Sequence, residues 1–62
     1  MNMELKPMFK VGDQVEKVGG DYIFDGTVVS VFEKLSKVVR VVVEDNRGLL
    51  FIFNEKSLRH KL

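Results

Sequence analysis

The chain has 62 residues, no cysteine, one histidine and a formal net charge of +1 from ten Lys/Arg against nine Asp/Glu. A chain of this length builds one domain with a small core, burying about 60% of the surface that its unfolded form exposes. Without cysteine it has no disulfide, no thiolate nucleophile and no thiolate metal ligand. A single histidine cannot supply a multi-histidine site, so no metal is expected, and the near-neutral charge lacks the basic footprint of a dedicated nucleic-acid binder.

The first ten residues, "MNMELKPMFK", show no period, and Pro7 interrupts any helix there. Residues 1–8 are read as a flexible arm and residues 9–62 as the folded domain, with Met8 and Phe9 at the join and able to tuck against it. Glu4 and Lys6 break up the opening, which lacks the long apolar stretch of a secretory signal. No apolar run approaches the roughly 20 residues of a membrane helix. The expectation is a cytoplasmic protein that does not enter a membrane.

"VGDQVEKVGG" opens with the Gly12-Asp13 turn signal and leads into a first strand around Val15. A loop bracketed by Gly19, Gly20 and Gly26 follows, with Tyr22 and Phe24 two apart. "TVVSVFEK" and "VVRVVVED" are β-branched runs of strand length, and "KLSK" between them reads as a hairpin loop. "DNRG", Asp45 to Gly48, fits a type I turn closed by a left-handed glycine. Leu49 to Asn54 forms the last strong strand, "NEKSL" a helical turn and "RHKL" a brief fifth strand. The whole reads as an all-β, SH3-like five-stranded barrel with a short helical turn before the last strand.

Strand side chains alternate between faces. Val39, Val41 and Val43 form a fully apolar set that belongs inside, opposite Val38, Arg40, Val42 and Glu44. The next strand is apolar on both faces, with Leu50 and Ile52 on one and Leu49, Phe51 and Phe53 on the other. Leu50 and Ile52 are assigned to the core. Leu49, Phe51 and Phe53 are assigned to a subunit interface, because an uncovered apolar face usually marks a contact surface. Self-association covers such a face most simply, since one patch serves every subunit, and a dimer or tetramer is expected.

"FKVGDQVEK", "GTVVSVF", the valine-rich strand and "GLLFIFNEKSL" together resemble the plasmid-encoded type II (B-family) dihydrofolate reductases, over residues 9–58. The resemblance implies an SH3-like barrel assembled as a homotetramer around one pore that takes NADPH and dihydrofolate. It places Leu50, Phe51, Ile52 and Phe53 where that family has Val-Gln-Ile-Tyr, and Lys17 where it has a pore lysine. Phe51 therefore stands for an amide and Phe53 for a phenol, and a phenyl ring replaces neither set of hydrogen-bonding groups. The expected function is accordingly a self-associating binding module without catalytic residues or cofactor. The NADPH-dependent reductase is the alternative, and a Tudor- or KOW-like nucleic-acid barrel a further one. Lys17 is a candidate pore cation, and Tyr22 and Phe24 a candidate loop surface for a protein partner. Asp21 and Asp25 read as turn formers, and His60 as part of a basic tail with Arg59 and Lys61.

Overall fold

The computed structural model describes residues 8–21 and 23–62. The expected arm falls largely on residues 1–7, and Tyr22 is the other exception; both lie outside the described residues. The protein is all-β, with β1 (Gln14–Lys17), β2 (Asp25–Glu33), β3 (Val39–Glu44), β4 (Leu50–Asn54), a 3-10 turn over Glu55–Ser57 and β5 (Leu58–His60). All five strands are antiparallel in one sheet of order β4-β3-β2-β1-β5. Among the described residues, no helix is long and apolar enough to cross a membrane.

The expected barrel closure is not made. Closing the sheet would pair β4 with β5, but only the three-residue 3-10 turn joins them, and it carries the chain across the end of the sheet. The three residues of β5 pair instead with β1, through Val15↔His60, Glu16↔Arg59 and Lys17↔Leu58. The side chain of Asn54 caps the turn by accepting from the Lys56 N–H at 2.9 Å.

One face of the curled sheet holds the core: Phe9, Val15, Val28, Val41, Val43 and Leu58, with Phe24, Val31 and Phe53 packed against it. The inward assignment of Val41 and Val43 holds, since both are fully buried. Phe9 precedes every strand yet is 2% exposed. Its ring lies 4.7 Å from that of His60, and His60 Nε2 is 3.1 Å from Asp13 Oδ2. The basic tail is thus a paired strand, with Arg59 bound to Glu16 and Lys61 to Asp25.

The "DNRG" turn forms as read. Gly48 has φ 83°, and its N–H donates to the Asp45 carbonyl at 3.0 Å. The Asp45 carboxylate ties the turn together. It accepts from the N–H groups of Arg47 and Leu49 at 2.9 and 3.0 Å and from the Arg47 guanidinium at 2.8 and 3.0 Å. Partial burial of Asp45 opposes ionisation, but the Arg47 guanidinium and the two backbone donors outweigh it and hold the carboxyl below its ordinary 3.8. The Lys10 N–H, and then the His60 side chain, lower Asp13 in the same sense. A carboxyl that titrates lower in the folded than in the unfolded chain contributes stability that is complete above the unfolded value. That stability is lost as pH falls through the folded value. Stability should therefore decline below about pH 4. Asp45→Asn keeps an acceptor for the two N–H groups but loses the charge, so its denaturation midpoint should fall less steeply between pH 5 and pH 2. An acid limb identical to wild type would count against this role of the Asp45 carboxylate.

Candidate functional site

Three strands present an outer face on the side away from the core, with apolar residues at its centre and charged or polar ones among them. The bulge between Val28 and Ser30 disturbs the alternation along β2, so that Val28 is buried while Val29 and Ser30 are both exposed. Phe32 follows on the outer face, 43% exposed. On β3 the outward residues are Arg40, Val42 and Glu44, and on β4 they are Leu50, Ile52 and Asn54. Cross-strand pairing sets them in rows: Phe32, Arg40 and Asn54; Ser30, Val42 and Ile52; then Glu44 and Leu50. Leu50 and Ile52 are 62% and 63% exposed.

The two faces of β4 are therefore the reverse of the expectation. Phe51 and Phe53 turn inward and Leu50 and Ile52 turn outward, because Val43 pairs with Phe51 and Val41 with Phe53. Directly opposed residues share a face, so the inward valines bring the phenylalanines in with them. The rings of Phe51 and Phe53 then meet Phe24, with centroids 4.8 and 5.0 Å away. Of the proposed interface set, only Leu49 is left exposed, at 49%, in the turn. Val42 lies on the outer face of β3 as its alternation predicts, and Phe32 and Val29 of β2, which the sequence reading missed, join it there.

Among the described residues, no strand pairs with the outer edge of β4. The Asp45 N–H donates to the Leu49 carbonyl, which makes that pair hydrogen-bonded. Hydrogen-bonded pairs alternate along an antiparallel ladder, so Phe51 and Phe53 bond to β3. The backbone groups of Leu50 and Ile52 point to the open side. No Pro, Lys or other charged residue interrupts Leu50–Phe53, so the usual guards of an exposed edge are missing.

The other candidates gather at the far end of the sheet. Lys17 and Phe24 line an open cleft of about 370 Å³ with Glu16, Gly19, Gly20, Ile23 and Arg59. The Lys17 ammonium donates to the Gly19 carbonyl at 3.1 Å. Gly19 and Gly20, at φ 73° and 84°, wrap the chain around it, and a Cβ on Gly20 would run into Lys17 Nζ. Arg59 Nε bonds Glu16 Oε2 at 2.6 Å on the same wall. Ile23 stands at the lip, 99% exposed. Of the sequence candidates, the fold sets Phe24 in the cleft with Lys17 and against the rings of Phe51 and Phe53, and sends Leu50 and Ile52 to the opposite face.

No family model, curated protein or solved structure matches this chain. The two surfaces must therefore be read from their own chemistry. Among the described residues, no three of His, Asp and Glu converge on a point that could hold a metal ion. Asp21 and Asp25 do not form a paired-carboxylate site: Asp25 is engaged by Lys61. The cleft is small and mixed in charge, whereas the outer face spans three strands and exposes Phe32, Leu50 and Ile52.

Proposed function

We propose that the protein is a self-associating all-β binding module, and that its subunits meet through the outer face of β2, β3 and β4. The observation that carries this reading is the exposure of Leu50 and Ile52 beside Phe32 and Val42 on one face. Leaving such side chains in water forgoes about 1.5–3 kcal/mol each relative to full burial. A chain too short to build a large core gains most from association. The long loop after β1, three hairpin-linked strands, a 3-10 turn and a short last strand support an SH3-like origin for the sheet.

The test is sedimentation or light scattering at micromolar concentration. Wild type should run as an oligomer, and Ile52→Lys should dissociate it by at least one order of magnitude in Kd while staying folded by circular dichroism. A strictly monomeric wild type would overturn the reading.

The reductase reading makes a separate demand. It needs polar groups for nicotinamide and dihydrofolate, whereas Phe51 and Phe53 present hydrocarbon rings to Phe24. Calorimetric titration with NADPH should give no heat of binding. Binding accompanied by trimethoprim-insensitive turnover of dihydrofolate would replace the module by an enzyme.

A further inference from the structure

The charges that flank the apolar patch determine how two copies can meet. Along β3 the outward sequence is Arg40, Val42, Glu44: positive, apolar, negative. At about 3.3 Å per residue the two charges lie about 13 Å apart, too far to pair with each other. Among the described residues neither has an ion-pair partner; the four pairs there join Arg47–Asp45, Arg59–Glu16, His60–Asp13 and Lys61–Asp25. The patch therefore carries one unused charge of each sign, placed symmetrically about Val42.

We infer that the occupant of this face is a second copy of the chain, docked face to face with its β3 antiparallel across a two-fold axis through Val42 and Ile52. This deepens the self-association reading and rests on it. Rotation about an axis perpendicular to the strands places Arg40 of each copy over Glu44 of its partner, giving two equivalent ion pairs around a dry centre. Rotation about an axis parallel to the strands places Arg40 over Arg40 and Glu44 over Glu44, with both contacts repulsive. Packed sheets lie about 10 Å apart, a gap that an Arg and a Glu side chain span from opposite sides at the margin of the patch. Such rim pairs select orientation and partner more than they add affinity. The apolar row holds the dimer, and the charges set its direction.

Charge reversal tests the orientation independently of association. Arg40→Glu gives a chain with two acids at these positions, and Glu44→Arg gives one with two bases. Each alone should weaken self-association at least tenfold in Kd, the loss shrinking in high salt. An equimolar mixture of the two should recover a heterodimer, because each acid then faces a base. The double variant R40E/E44R should dimerise as wild type does yet refuse to pair with it, which covers the case in which a single reversal fails to fold. Single variants that associate like wild type, or a mixture that shows no recovery, would overturn this orientation and leave the module intact. A monomeric wild type would remove both.

Discussion

Gly26→Ala is expected to cost about 3 kcal/mol or more, at or beyond the upper end of the usual range for forcing extra volume into a packed site. Gly26 lies where β2 passes from pairing with β1 alone to lying between β1 and β3: it faces Val15, and the next residue, Thr27, faces both Gln14 and Glu44. A Cβ there would stand 2.5 Å from the Glu44 carbonyl oxygen, 2.7 Å from Val43 Cγ1 and 3.1 Å from the Glu44 carbonyl carbon. Two of those three atoms are backbone, so no rotamer change relieves the clash; either β2 or the end of β3 must move. Movement would break the ladder beside Val43, a core residue. For a domain of this size, 1 kcal/mol corresponds to about 4–8 °C in melting temperature, so a fall of at least about 12 °C is expected. A variant melting within a few degrees of wild type would show that the approach is looser than described. Gly48→Ala is a useful contrast, because the space there is open and only φ objects.

Phe9→Ala should be the most damaging change outside the sheet, at about 3–5 kcal/mol. Among the described residues, four of the six buried core residues are valines, and Phe9 is the one buried ring. No strand holds Phe9 in place; its position depends on the turn in which the Asp13 carboxylate accepts from the Lys10 N–H at 3.0 Å. Removing the ring opens a hole that neighbouring valines are too short to fill, and it takes the partner from His60. Against the 5–15 kcal/mol that separates folded from unfolded in ordinary domains, such a loss should leave a substantial unfolded fraction at 37 °C. Phe9→Leu should restore most of the stability. Denaturant titrations of the three proteins decide the matter, and equal midpoints for Phe9→Ala and wild type would contradict the packing.

How far the sequence could be read depended on which physical signal was local. The β-branched runs and the "DNRG" turn are local features and stand as expected, and of the inward set on β3 Val41 and Val43 are buried while Val39, at the strand's start, is only half-buried. The orientation of β4 is not local. Both of its faces are apolar, so alternation could not choose between them, and the choice of Leu50 and Ile52 for the core was the wrong one. The deciding signal was nevertheless present, because the turn type fixes register. A type I turn closed by Gly48 makes Glu44 face Leu50, and that alone puts Phe51 and Phe53 on the side of Val43 and Val41. The bulge in β2 is a different case. Nothing in "TVVSVF" marks where an extra residue enters the strand, and so the outward placement of Val29 and Phe32 was not legible. Barrel closure failed for a third reason: edge pairing depends on where a three-residue connection carries the chain, which periodicity does not encode.

The pairing of β1 with β5 bears on how freely the chain could be rewired. The Lys61 N–H donates to the Gln14 carbonyl at 2.9 Å, and Phe9 rests on His60. Phe9 and the end of β5 therefore lie side by side on one margin of the sheet. A short linker between them would give a ring in which every ladder keeps its register. The ring could be cut instead at the exposed Lys34–Lys37 turn, where Lys37 sits at φ 71°. Such a circular permutant would begin at β3 and end at β2, with the outer face still assembled from the same three strands.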